Sequence, residues 1–207
     1  MSAGPGSAAE KMPLILGIAG SPRRSGNTDA LLAAALEGAT EAGARTDMLV
    51  ASASGLGPCL GCNDCAASGE CIRPDGWPDV FARIDQADGI IIASPVYFAT
   101  VPGVLKVFYD RMQPYWARTH VLGHPRPPRR PGAILLARAG GDPYGFDAAE
   151  ATTRSVLAVL DVDVLDVLKV TGVDTPAEVA ERPQALAGAR FLGSAVALEA
   201  IRRIQSA

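Results

Sequence analysis

The sequence has few cysteines, histidines and aromatic residues, and it carries no excess of basic charge. Of its 207 residues only four are cysteine and two are histidine, and 5% are aromatic. Because all four cysteines lie within residues 59–71, they do not form the spread-out pattern of a disulfide framework. A net charge of −3 provides no basic surface for nucleic acid, so we expect no nucleic-acid partner. Four cysteines in one short loop instead indicate a shared ligand.

Long hydrophobic runs are also missing. The apolar stretch over residues 90–105 is interrupted by Pro95 and Pro102 and is shorter than the ~20 residues that span a bilayer. The run at residues 14–19 is too short for a signal-peptide core and is soon followed by Arg23. We therefore expect no membrane partner and a cytoplasmic location, where thiols stay reduced.

A hydrophobic content of 48% with 20% charged residues is typical of a folded chain. We expect residues 1–11, rich in Ser, Ala and Gly, to be a flexible tail and residues 12–207 to form one domain. Within that domain, residues 56–75 are an insertion that carries the cysteines.

Short apolar runs alternate with helical patterns along the domain. Strands are predicted at residues 14–19, 46–51, 89–93, 133–137 and 162–170. Helices are predicted at residues 28–42, 79–86, 101–112, 147–160 and 178–204, the last interrupted near Pro183, and the proline-rich residues 114–131 predict a loop. The alternation predicts an α/β fold, a doubly wound five-stranded parallel sheet of order 2-1-3-4-5 with helices on both faces. Ligands of such sheets bind at the carboxyl ends of the strands.

The loop after the first predicted strand has the composition of a phosphate site. Residues 20–28 read Gly-Ser-Pro-Arg-Arg-Ser-Gly-Asn-Thr, without the spacing of a Walker loop or a dinucleotide fingerprint. Hydroxyls, an amide, guanidinium groups and a helix N-terminus all bind phosphate. The predicted ligand-binding residues are Ser21, Arg23, Arg24, Ser25, Gly26, Asn27 and Thr28. The alternative is a helix cap alone, formed by Asn27 or Thr28.

The cysteine spacing is Cys-x2-Cys-x2-Cys-x5-Cys, formed by Cys59, Cys62, Cys65 and Cys71. The first three match the local spacing of a bacterial ferredoxin loop, which favours an iron–sulfur cluster. Zinc is one alternative, although structural zinc more often takes two separate Cys-x2-Cys pairs. Reduced thiols or a redox-active dithiol are the other alternative.

Two more loops follow predicted strands. After the third strand comes Ser94-Pro95-Val96-Tyr97-Phe98, whose rings can lie against a planar ligand or simply cover the sheet edge. After the fourth strand, Arg138 precedes Gly140 and Gly141, which either allow a ligand close to the backbone or form a simple turn.

Outside these loops the polar residues have ordinary explanations. Lys106 and Asp110, four residues apart, predict a surface ion pair. The arginines of the proline-rich loop are expected to be solvated: Arg126, Arg129 and Arg130.

Together, these motifs resemble the NADPH-dependent FMN reductase superfamily. The residues that carry the resemblance are Gly20-Ser21-Pro22-Arg23, Gly26-Asn27-Thr28, the cysteines of residues 59–71, Ser94-Pro95-Val96-Tyr97, Leu105-Lys106 and Asp110-Arg111. The cysteine loop is similar to that of the superfamily's iron–sulfur flavoprotein branch. The loop after the fourth strand differs, because Asp142-Pro143 stands where relatives often have Gln-Glu.

The resemblance implies a flavodoxin-like fold, with the FMN phosphate in the first loop and the isoalloxazine ring beside residues 94–98 and 138–142. It also implies a 4Fe–4S cluster on the four cysteines, near a subunit interface and facing the FMN of the neighbouring chain. We therefore expect an FMN-dependent oxidoreductase, a homodimer or tetramer without a catalytic nucleophile. Its redox donor is expected to be NAD(P)H or ferredoxin, and its acceptor a small molecule. The alternatives are an NAD(P)H-dependent FMN or quinone reductase without a cluster, and a non-enzymatic electron carrier.

Overall fold

The structure, a computed structural model, describes residues 12–206, so the predicted tail at residues 1–11 lies outside it. Its sheet has five parallel strands in the order β2-β1-β3-β4-β5. The strands are β1 (Leu14–Ala19), β2 (Arg45–Val50), β3 (Gly89–Pro95), β4 (Arg130–Arg138) and β5 (Val162–Thr171). The predicted flavodoxin-like doubly wound sheet and its strand order are confirmed.

Seven helices lie in the described residues, together with two 3-10 turns at Ala51–Ala53 and Glu178–Glu181. The helices are α1 (Asn27–Glu41), α2 (Cys65–Ser68), α3 (Trp77–Gln86), α4 (Gly103–Asp110), α5 (Gln113–His120), α6 (Asp147–Val159) and α7 (Pro183–Gln205). The predicted interruption near Pro183 is confirmed, because α7 begins at that proline. Within residues 12–206, no helix is both long enough and apolar enough to cross a membrane.

The core has two layers, one on each face of the sheet. Alternate side chains of β3 divide between the layers, since Ile90 and Ile92 face one layer and Ile91 the other. Helices α3, α4 and α6 cover the first face, and α1 and α7 cover the second. All three isoleucines are fully buried, as expected of a central parallel strand.

The proline-rich segment differs from its prediction as a loop. Residues 113–120 form α5, because Pro114 lies in the first turn, where a missing N–H breaks no helical hydrogen bond. The expectation that Arg130 is solvated is also wrong. Its guanidinium donates to the carbonyls of Ile84, Ala87 and Leu160, and so bridges α3 to the end of α6.

Helices α1 and α7 approach each other closely at two glycines. A Cβ added at Gly193 would overlap the backbone carbonyl of Ala35, and one at Gly38 would overlap that of Arg190. In contrast, a Cβ at Gly188 of α7 would meet only the Leu168 side chain, at 3.4 Å. The close crossing therefore requires glycine at particular positions of α7 and not throughout the helix.

We expect Gly193→Ala to destabilise the protein by about 1–3 kcal/mol, because backbone atoms cannot move aside as a flexible side chain can. The matched control, Gly188→Ala in the same helix, should stabilise it by up to about 1 kcal/mol through helix propensity. Thermal unfolding measures both, with roughly 2–4 °C per kcal/mol for a chain of this size. Equal effects of the two substitutions would contradict the glycine-dependent crossing.

Candidate functional site

The first turn of α1 lacks a side-chain cap. Gly26 is the N-cap residue, with an extended backbone (φ −87°, ψ −177°), and no side chain bonds the N–H groups at this end. The alternative that Asn27 or Thr28 caps the helix is therefore wrong. Uncapped N–H groups and the positive end of the helix dipole together favour an anion here.

Asn27 instead connects the loop to the segment after β5. Its side-chain amide donates to the Thr175 carbonyl at 2.9 Å and accepts the Val179 N–H at 3.0 Å. Arg23 donates to the neighbouring Asp174 carbonyl at 3.4 Å. The donor and the acceptor of the Asn27 side-chain amide are both occupied by groups of this chain, so the side chain holds the loop in place. The backbone N–H of Asn27 lies at the start of α1.

Two more residues of the loop are held by Asp29, in the first turn of α1. The Ser25 N–H donates to the Asp29 carboxylate at 2.8 Å, and Arg24 pairs with the same oxygen at 3.5 Å. Ser21 is nearly buried, and its hydroxyl accepts the Arg23 N–H at 3.0 Å. These contacts fix the conformation of the turn that precedes Gly26.

A cavity of about 140 Å³ lies at the carboxyl ends of the strands, beside the start of α1. Nine predicted site residues line it: Ser21, Arg23, Gly26, Asn27, Thr28, Pro95, Val96, Tyr97 and Arg138. Its other lining residues include Val173, Asp174 and Pro176, which follow β5. We did not predict a role for that segment, because β5 is distant from the point where the strand order reverses. The Gly-Val-Asp-Thr-Pro sequence after the strand is the signal that was available.

The remaining predicted residues do not line this cavity. Ser94 is fully buried, and its hydroxyl donates to the Pro95 carbonyl. Phe98 is fully exposed, so the alternative that it covers the sheet edge is wrong. The others outside the cavity are Arg24, Ser25, Gly140 and Gly141. Both glycines have positive φ, with open space around the position of a Cβ.

Asp142 joins the loops that follow β3 and β4. Its carboxylate accepts the Ala99 N–H at 3.1 Å and the Tyr144 N–H at 2.8 Å. Phe98 and Ala99 both lie in the left-handed region, at φ +50° and +68°, so this contact holds a backbone turn that L residues rarely adopt. The departure from the family sequence at position 142 therefore has a structural role.

Arg138, at the end of β4, borders the same cavity. Its Nη1 donates to the Asp142 carbonyl at 2.8 Å, and its guanidinium lies 5.1 Å from the centre of the Phe146 ring. Its buried Nε has no hydrogen-bond partner among the described residues. A buried donor without a partner is costly, so a polar ligand atom is a fitting acceptor here.

The four cysteines line a second cavity, of about 340 Å³. All four are free thiols, with Cys59 and Cys62 exposed and Cys65 and Cys71 half-buried. Burial raises the pKa of the Cys65 thiol, and the charges of the other three cysteines raise it further. Within residues 12–206, no three His, Cys, Asp or Glu side chains are already grouped as a metal site.

A buried ion pair closes the base of the cysteine loop. Arg111 is 1% exposed, and both its terminal nitrogens donate to the Asp75 carboxylate, at 2.6 and 3.1 Å. They also donate to the Gly57 carbonyl at 2.9 Å and to the Cys71 sulfur at 3.2 Å. The hydrogen bonds from Arg111 hold the pKa of Asp75 below its usual range. Arg111 belongs to the motif that carries the family resemblance, and the sequence alone predicts no role for it.

The two cavities share no lining residue. The first lies at the loop before α4, and the cysteine cavity includes Asp110 and Arg111 at the other end of that helix. Between these two ends the chain runs through α4, an eight-residue helix about 12 Å long. The predicted ion pair on α4, Lys106 with Asp110, is present at 2.6 Å.

Comparison with known proteins shows the fold and the family. A solved NAD(P)H:quinone oxidoreductase from Methanothermobacter marburgensis is 20% identical, with a TM-score of 0.63 over 89% of this chain and 96% of that one. An archaeal flavodoxin is 13% identical, with a TM-score of 0.57 over 90% of this chain and 98% of that one. At these identities the similarity shows a flavodoxin-like fold.

Curated relatives carry the name iron–sulfur flavoprotein. One from Methanocaldococcus jannaschii is 41% identical over 100 residues, 48% of this chain and 52% of the relative. One from Archaeoglobus fulgidus is 34% identical over 128 residues, 62% of this chain and 56% of the relative. The chain spans about half the length of these curated relatives.

The family model for NADPH-dependent FMN reductase matches residues 13–174. The matched segment contains β1 to β5, the uncapped start of α1 and the cysteine loop. This chain therefore belongs to the NADPH-dependent FMN reductase family.

Proposed function

We propose that this protein is an FMN-dependent oxidoreductase that carries a 4Fe–4S cluster on the loop of residues 59–71. The observation that carries the proposal is the uncapped first turn of α1, which borders the cavity at the carboxyl edge of the sheet. FMN accepts two electrons and releases them singly, while an iron–sulfur cluster carries one electron at a time. The polypeptide binds and orients both groups.

The FMN phosphate is proposed to accept hydrogen bonds from the backbone N–H groups at the start of α1 and from Arg23. Ser21 and Thr28 line the same cavity and add hydroxyl donors. Ligand pockets usually occupy about 300–1,000 Å³, so a cavity of about 140 Å³ holds only part of FMN. The ring system then lies against the surrounding loops, where Tyr97 lines the cavity and Phe98 is fully exposed.

The cysteine loop fits an iron–sulfur cluster by its donor chemistry. Four free thiols line one cavity, and cysteine thiolates are the ligands that hold iron–sulfur clusters. Cys59 and Cys62 are exposed, so they can move toward the other two without disturbing the core. The names of the relatives support the same assignment.

The remaining parts of the proposal concern partners and location. We propose NAD(P)H or ferredoxin as the electron donor and a small molecule as the acceptor, in a homodimer or tetramer. The family description supports NADPH. A cytoplasmic location suits four free thiols, because the cytosol keeps thiols reduced.

A second candidate is an NAD(P)H-dependent FMN or quinone reductase without a cluster. The observation that favours it is that, among the described residues, no three potential ligands are already grouped for a metal. In this candidate the cysteine loop only packs against α4 and α5.

We expect Gly26→Asp to weaken FMN binding roughly 10- to 100-fold while leaving the fold intact. The extended backbone of Gly26 suits an aspartate N-cap, which would bond the free N–H groups and stabilise α1 by a few tenths of a kcal/mol. The same carboxylate would repel the phosphate and take its donors, a loss of about 1.5–3 kcal/mol or roughly 10- to 100-fold in affinity. Titration of apoprotein with FMN, followed by flavin fluorescence, measures this change.

Gly26→Ser is the matched control, because a serine caps the helix without adding charge. We expect it to weaken FMN binding less than the aspartate does. Unchanged FMN affinity in Gly26→Asp, with an unfolding temperature at or above that of the parent, would place the phosphate elsewhere.

We expect anaerobically purified protein to contain about four iron and four sulfide atoms per chain in addition to FMN. Replacing Cys59, Cys62, Cys65 or Cys71 singly by serine should remove most of the iron and leave the FMN content unchanged. Ser68→Ala, in the same loop, is the control, and its iron content should match that of the parent. Iron and sulfide assays with a visible absorption spectrum measure these contents.

Iron far below four per chain, with FMN present, would contradict the cluster assignment. Steady-state NADPH oxidation that survives replacement of all four cysteines would then favour the cluster-free reductase. Reduction by ferredoxin but not by NAD(P)H would instead indicate an electron carrier.

A further inference from the structure

We propose that Arg111 is a positioning residue that raises the reduction potential of the cluster on the cysteine loop, through its hydrogen bond to the Cys71 sulfur. This inference rests on the proposed function, because it requires the cluster. It assigns a role to a buried charge that the binding of FMN does not use.

One guanidinium joins both ends of the cysteine loop. Its acceptors include the carbonyl of Gly57, two residues before Cys59, and the carboxylate of Asp75, four residues after Cys71. The guanidinium also lies 5.6 Å from the centre of the Trp77 ring, at the start of α3. Arg111 is therefore held in one place from several sides, with a nitrogen directed at a cysteine sulfur.

The contact with Cys71 has an electrostatic consequence. Hydrogen bonds to the cysteine sulfurs and nearby charge set the potential of an iron–sulfur cluster. A buried positive charge favours the more negative, reduced state, and it does so strongly because burial weakens solvent screening. Nη2 of Arg111 lies 3.2 Å from the Cys71 sulfur, so its charge acts directly on that ligand.

Asp75 opposes this effect while it holds Arg111 in place. Its carboxylate contacts both terminal nitrogens of Arg111 and also accepts the Gly57 N–H at 3.2 Å. Its negative charge favours the oxidised state of a nearby cluster. Removing the charge of either partner breaks the same ion pair, yet the two removals change the local charge in opposite directions.

Arg118 provides a control that contacts the loop without touching a sulfur. Its Nε donates to the Gly69 carbonyl at 2.8 Å, and its guanidinium lies 4.3 Å from the centre of the Phe81 ring. Replacing Arg118 therefore loosens the cysteine loop and removes a positive charge that neither lines the cysteine cavity nor bonds a sulfur there.

The experiment compares the midpoint potential of the cluster in the parent, Arg111→Gln, Asp75→Asn and Arg118→Gln, by redox titration followed by electron paramagnetic resonance. Arg111→Gln should lower the equilibrium constant for one-electron reduction of the cluster at least tenfold. This corresponds to a midpoint potential lower by about 59 mV. Asp75→Asn should raise the potential, and Arg118→Gln should leave it nearly unchanged. FMN content should be equal in all four proteins.

Shifts of the same sign in Arg111→Gln and Asp75→Asn, or no shift in Arg111→Gln, would overturn the inference. Arg111→Lys keeps the charge, so we expect it to hold iron at a potential nearer the parent's than that of Arg111→Gln. Loss of iron from both Arg111 variants would show that Arg111 only holds the loop, and this also overturns the inference. If the parent itself contains no iron, both the proposed cluster and this inference fail. If the parent contains iron and the midpoint potentials of Arg111→Gln and Asp75→Asn shift in the same direction, only this inference fails.

Discussion

Parallel pairing of all five strands is the constraint on which the rest of this structure depends. It brings every carboxyl end to one edge of the sheet, so loops far apart in the chain must meet there. Residues near positions 23, 97, 138 and 174 consequently line a single cavity. Asn27 donates to the Thr175 carbonyl and accepts from the Val179 N–H, and these two hydrogen bonds fasten the first of these loops to the last.

The fold and much of the site could be predicted because they depend on short-range patterns. Unbroken apolar runs such as Ile90–Ile92 indicate buried strands, and the polar residues 20–28 directly after a strand indicate a ligand loop. The helix over residues 113–120 was missed because a proline in a first turn and a proline in a loop look the same in a sequence. The roles of Asn27 and Asp142 could not be predicted, because each depends on a backbone group distant in the chain.

The cysteine loop is attached to the domain by charge as well as by apolar contact. A half-buried polar loop has little apolar surface to bury, and Arg111 supplies donors for a carboxylate, a carbonyl and a sulfur at once. The aromatic cluster of Trp77, Phe81 and Tyr115 packs beside this charge, with ring centres 5.1–6.3 Å apart. Because desolvation offsets much of the attraction between its charges, we expect a buried ion pair of this kind to add little net stability to the fold.

The missing cap at Gly26 links stability to ligand concentration. An anion that bonds the free N–H groups of α1 completes a helix end that the chain leaves incomplete. By mass action, a ligand that binds only the folded state adds RT ln(1 + [L]/Kd), or about 2.7 kcal/mol at one hundred times its Kd. The unfolding temperature of this chain then depends on the concentration of the anion as well as on the polypeptide. In a cell that contains little of that anion, a larger fraction of the protein would be unfolded.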